Sequence, residues 1–200
     1  MGFLNKLFGS SNRKDKQEPP QAASFNSSDD LMDESQFWEI IETTKTTGGD
    51  DYERQQQCLA TELLRLHPNE IIQFANRFRY FRGMANSWDL CGAIYIINGG
   101  CGDDAFNDFR EWVIAQGKDF FSRTISNPSS LINVEAEKIV ETDWEGFGYV
   151  PAEVFKKLTG QEMPYPFKED LDIKGEEWDE DGDDLQKRFP QLYAKYSGYL

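Results

Sequence analysis

The sequence predicts an all-α fold: a compact domain of about seven to nine helices behind a disordered N-terminal arm. Three observations predict it. Apolar residues recur at helical spacing in one segment after another. Those segments tend to open on Asp, Ser or Pro and to close on Gly. The composition, 38% hydrophobic with 15 Phe, 8 Tyr and 5 Trp in 200 residues, is ample for a packed core.

Residues 1–32 read as a flexible arm. Gly9 to Met32 is rich in Ser, Asn, Pro and charge and has no apolar period. The arm starts amphipathically, with Phe3, Leu4, Leu7 and Phe8 on one helical face, so a weak peripheral membrane contact is an expectation for that foot. The stretch is too short for a secretory signal, and Lys6 breaks the myristoylation pattern. The domain is expected over 33–200. Asp33 with Gln36 forms a capping box before Phe37, Ile40 and Ile41, and Gly48-Gly49 ends that helix. Asp50 or Asp51 caps the next, with Leu59, Leu63 and Leu66 inward. Pro68 starts a third, with stripe Ile71, Phe74, Ala75, Phe78 and Phe81. Ser87 caps a fourth from Trp88, apolar almost all round and therefore central; a buried strand is the alternative for that run. Asn98-Gly99-Gly100-Cys101-Gly102 breaks the chain. Asp103 or Asp104 is expected to cap a fifth helix, with Phe106, Phe109, Arg110, Val113 and Ile114 on its stripe. Phe120, Phe121 and Ile125 suit a short sixth. Residues 135–141 and 151–159 read as further helices, and the last helix, Leu185 to Tyr196, is interrupted at Pro190.

Charge excludes some functions. The net charge of −15 disfavours nucleic acid. Arg77, Arg79 and Arg82 flank a buried aromatic stripe and are expected to pair with acids rather than with phosphate. A single histidine, His67, removes most His-based chemistry. Cys58, Cys91 and Cys101 form no paired framework and read as buried thiols of a reducing, cytoplasmic compartment. No apolar run approaches the roughly 18 residues of a membrane span. The densest charge lies at 161–184, with 11 acids against two bases. Glu177, Asp179, Asp181 and Gly182 there match part of a calcium loop, but Arg188 stands where a bidentate Glu is required.

From Asp33 onward the chain resembles a bacterial family, domain of unknown function 4240. The resemblance rests on Met32–Ile41, on Trp88-Asp89-Leu90 with Ala93–Ile96, and above all on Gly99–Phe106 running through Phe109–Gly117. It spans roughly residues 33–160 and implies a mainly helical cytoplasmic protein. Gly102 and Val113 stand where the family has Ser and Leu. No activity, and so no catalytic residue, carries over.

The binding candidates are Asp89, Gly99, Gly100, Cys101, Asp103, Asp104, Arg110 and Trp112, around the glycine-rich junction. One Asp suffices as a cap, leaving the second over. Trp144 to Tyr149 is expected to lie over the core or line a pocket. Glu177, Asp179, Asp181, Asp183 and Asp184 form an acidic face for a basic protein partner. The leading expectation is a non-catalytic interaction module of inhibitor, immunity or adaptor type. The alternative is an enzyme with a carboxylate and arginine pocket at Asp89, Asp103, Asp104 and Arg110, served by a divalent metal. The sequence assigns no cofactor, no metal site and no oligomeric state.

Overall fold

A computed structural model of the chain describes residues 30–135, 146–179 and 183–196. Phe3, Leu4, Leu7, Phe8, Trp144 and Asp181 lie outside the described residues, as does nearly all of the helix expected over 135–141. The described residues are all-α. They form α1 (Glu34–Gly48), α2 (Tyr52–Leu63), α3 (Pro68–Met84), α4 (Trp88–Asn98), α5 (Asp103–Ala115), α6 (Lys118–Ser126), α7 (Val150–Thr159), α8 (Asp184–Arg188) and α9 (Pro190–Tyr196). Short 3₁₀ turns cover Pro128–Asn133 and Phe147–Tyr149.

Local chemistry sets most boundaries. Asp33 Oδ1 accepts from the amides of Ser35 and Gln36 and caps α1. Asp51 caps α2 through the Arg54 amide, and Ser87 caps α4 through the Leu90 amide. His67 caps α3: its ring nitrogen accepts from the Asn69 amide while Glu70 reaches back to the His67 amide at 2.8 Å. The only histidine in the chain is thus a helix cap. One expectation is corrected at α5. Its N-cap is Gly102, with no side-chain cap bond, and Asp103 and Asp104 occupy the first turn. Carboxylates are favoured there by the helix dipole without capping a specific amide. Asn98 runs into Gly99 at φ +68, where a left-handed residue turns the chain out of α4. Pro190 divides the last helical stretch into α8 and α9, as its missing amide requires.

Buried apolar residues from Met32 to Tyr196 form one continuous cluster. Its centre is aromatic. The Phe37 ring lies 4.9 Å from Phe74 and 5.2 Å from Phe81, and Trp38 lies 4.7 Å from Phe81 and 5.4 Å from Phe121. These contacts join α1, α3 and α6. The α4 helix is buried along almost its whole length, through Leu90, Cys91, Gly92, Ala93, Ile94, Ile96 and Ile97. It is a central helix rather than a buried strand.

Residues 161–179 contain no helix, yet they are not loose. This strap crosses the last turns of α3 and the start of α4. The Asn86 side chain donates to the Leu171 carbonyl at 2.9 Å. The Lys174 amide donates to Asn86 O at 2.9 Å, and the Trp88 amide to Lys174 O at 2.8 Å. The Trp178 indole then donates to Trp88 O at 3.1 Å, with its ring 4.9 Å from that of Tyr95. Gly92 permits this closure. A Cβ there would lie 2.7 Å from Leu185 Cδ2 and 3.1 Å from Trp178 Nε1.

Candidate functional site

The residues around the glycine junction separate into two groups. Asp89 sits in the first turn of α4 and Asp103 just beyond its far end, so the helix, about 16 Å long at 1.5 Å per residue, stands between them. Asp89 accepts from Arg188 Nη1 at 2.9 Å, and the same nitrogen donates to Glu176 O at 2.7 Å. Asp89 therefore belongs with the strap and α8. Asp103 and Asp104 are exposed. At Gly100 and Gly102 a Cβ would meet nothing within 4 Å, so the junction makes no close backbone approach at either position. Trp112 is buried, stacked on Phe109 at 5.5 Å and edge-on to Phe120 at 5.3 Å.

Cys91, Cys101, Asp103 and Arg110 do share a neighbourhood. The Cys91 and Cys101 thiols lie close enough to influence each other's ionisation. The neighbouring thiol lowers the pKa of Cys91 and raises that of Cys101, which burial raises further. All three cysteines are free. Among the described residues no three His, Cys, Asp or Glu side chains gather to hold a metal.

Arg110 is turned inward. It is 8% exposed and donates to Arg82 O at 3.2 Å and to Asn107 Oδ1 at 3.3 Å, with its guanidinium 4.9 Å from the Phe106 ring. Its Nε is buried without a partner. Burial lowers its pKa, and the neighbouring Arg82 charge lowers it further.

Next to it lies the most heavily bonded polar group in the described residues, which the sequence did not single out. Arg82 Nη1 donates to Glu111 Oε1 at 2.6 Å, while its Nε donates to Glu169 Oε1 at 2.8 Å and its Nη2 to Glu169 Oε2. Glu111 Oε2 accepts from the Gly148 amide at 2.8 Å. Arg82 thus ties α3 to α5 and to the strap, and Glu111 extends the tie to the 3₁₀ turn before α7. With Arg110 the group holds two positive and two negative charges, so the burial of each is compensated. Burial opposes the Arg82 charge, but the two carboxylates outweigh it and move its pKa up. Burial likewise pushes the Glu111 carboxyl above the usual carboxylate range, against the pull of Arg82 and the Gly148 amide. Among the described residues, the expectation that the three arginines of α3 pair with acids holds only for Arg82. Arg77 Nε donates to Met32 O at 2.8 Å, and Arg79 lies 4.4 Å from the Tyr165 ring.

The acidic residues divide too. Asp183 pairs with Lys187, and Asp184 Oδ2 accepts from the Asp179 amide at 3.2 Å. Asp170 pairs with Lys174 at 3.2 Å, and Glu162 with Lys156. Asp172, Glu176, Glu177 and Asp179 are exposed on the outer side of the strap. Phe147, from the aromatic segment, is fully buried, whereas Tyr149 is 65% exposed.

The fold and site define an all-helical protein cross-braced by a buried arginine–glutamate group and belted by an acidic strap. A family model described as "Protein of unknown function (DUF4240)" matches residues 32–157, and the chain belongs to that family. No curated protein and no solved structure matches the chain. The strap, α8 and α9 lie beyond the matched region. Among the described residues, no helix is long and apolar enough to cross a membrane.

Proposed function

We propose that the protein is a non-catalytic interaction module of the cytoplasm that binds a basic protein partner through its acidic strap. One observation carries this reading. The acidic segment 161–184 carries 11 acids and two bases, and its described part, 161–179, is not a dangling tail. It is fastened by the Asn86, Trp88 and Trp178 bonds, and Asp172, Glu176, Glu177 and Asp179 point to solvent from a fixed track. Charges held in place steer and orient a partner at little ordering cost. Three free cysteines agree with a reducing compartment. The enzyme alternative has less support, because Asp89 faces Arg188 and Arg110 faces the interior.

The test is affinity capture from the native host's lysate at low and moderate salt, with partners identified by mass spectrometry. It compares the wild type with Glu176→Gln/Glu177→Gln/Asp179→Asn. The expected result is one stoichiometric basic protein, weakened by salt and lost with the variant. A partner retained by the variant, or none in either form, contradicts the proposal.

A further inference from the structure

A cavity of about 350 Å³ opens beside the buried arginine–glutamate group, lined by Phe78, Arg79, Asn107, Glu111, Tyr149 and Tyr165 among others. Its volume is in the range of small-molecule sites. Its polar groups are unevenly engaged. Both Glu111 oxygens accept hydrogen bonds, one from Arg82 and one from the Gly148 amide. The Glu162 carboxylate, beside Tyr165, is held by Lys156. The carboxylates in and beside the cavity are thus already bound.

The donors are not. An arginine carries five N–H groups. Among the described residues Arg79 makes one hydrogen bond, a long one of 3.4 Å to Phe167 O, and no ion pair. It is held in place instead by its contact with the Tyr165 face at 4.4 Å. The Asn107 Oδ1 accepts from Arg110, which fixes the amide and leaves its two Nδ2 donors over. Tyr149 and Tyr165, 65% and 49% exposed, add two phenol faces and two hydroxyls at the rim. Phe78 and Ala75 supply apolar wall. Among the described residues the Arg79 guanidinium has no carboxylate partner, and it lines a cavity.

We propose that this cavity binds a small organic anion, with its carboxylate or phosphate on Arg79 and Asn107 and its flat apolar body against Tyr149, Tyr165 and Phe78. The site is independent of the acidic strap's partner. A planar guanidinium suits either oxyanion through paired N–H donors, and aromatic faces suit a flat body.

The experiment is calorimetric titration of the full chain with phenyl phosphate and with benzoate. Inorganic phosphate serves as the head alone and benzyl alcohol as the body alone. The variants are Arg79→Met and the surface change Tyr149→Ala. The expected result is saturable binding of at least one aryl anion, tighter than either fragment and weakened about tenfold or more in Arg79→Met, the loss of one charge-assisted contact. Tyr149→Ala, which removes an exposed ring, is expected to weaken the aryl anion and leave inorganic phosphate unchanged. If Arg79→Met does not fold, Tyr149→Ala alone decides. No saturable binding of either aryl anion, or binding indifferent to the folded variants, overturns the proposal.

Discussion

Arg82→Met is expected to destabilise the protein by about 3–5 kcal/mol, the cost of breaking a buried ion pair from one side. The Glu111 and Glu169 side chains are 5% and 7% exposed, and Arg82 bridges both. Without it, two buried carboxylates lose the cation that bonds them, Arg110 is the one positive charge left in the group, and Glu111 keeps only the Gly148 amide as a hydrogen-bond donor. The triple change Arg82→Met/Glu111→Gln/Glu169→Gln is expected to recover part of the loss, because it removes the uncompensated carboxylate charge, and not all of it, because Arg110 then stands as the one buried charge of the group. The pH dependence follows with a definite sign. Burial already raises the Glu111 pKa against the pull of Arg82, so removing Arg82 raises it further. A carboxyl whose folded pKa lies above its unfolded one binds more protons when folded. Stability then falls as pH rises through the window between the two values. The deficit of Arg82→Met is therefore largest near neutrality and narrows toward about pH 5, just above the ordinary glutamate value. Urea unfolding of variant and wild type at the two pH values measures it; a deficit that widens on acidification contradicts the account.

Trp178→Ala is expected to cost about 3 kcal/mol, the lower end for a large aromatic because the ring is partly exposed. Its indole bond to Trp88 O and its packing on Tyr95 and Trp88, at 4.9 and 6.1 Å, hold the acidic end of the strap on α4. The substitution also empties the space over Gly92, where Leu185 and Trp178 meet the bare backbone. Faster proteolytic cleavage at Lys168 and Lys174, both exposed, should accompany the loss. Capture of the basic partner should weaken as well, although the variant's charge is unaltered. Undiminished capture would show that the charges act without being held in place.

Much of the fold was legible in the sequence, for local reasons. Caps at Asp33, Asp51 and Ser87, the left-handed turn at Gly99 and the break at Pro190 are set by residues within a few positions of each element. The α5 cap was misplaced because Gly, Asp and Asp in succession all suit a helix start, and only the backbone path chooses among them. The candidate site was less legible. Arg110 falls on the same stripe as Phe106, Phe109 and Val113, and that spacing was itself the sign of a buried charge. Its surroundings were hidden because they come from far along the chain. Arg82 and Glu169 are 87 positions apart, and Arg82 and Glu111 are 29 apart. Asp89 and Arg188, 99 apart, meet only because the strap doubles back over α4. The acidic segment was conspicuous in composition, but its fastening rests on backbone amides and carbonyls, which every residue carries.

The acidic strap is a fastened part of the folded body. Native-state hydrogen exchange of the wild type tests it most directly, at the Lys174 and Trp88 amides that pair with Asn86 O and Lys174 O. The Lys174 amide is expected to be protected to a degree comparable with amides in the middle of α4, and Arg82→Met is expected to lower this protection. Exchange of the Lys174 amide at the rate of an unstructured chain would contradict it.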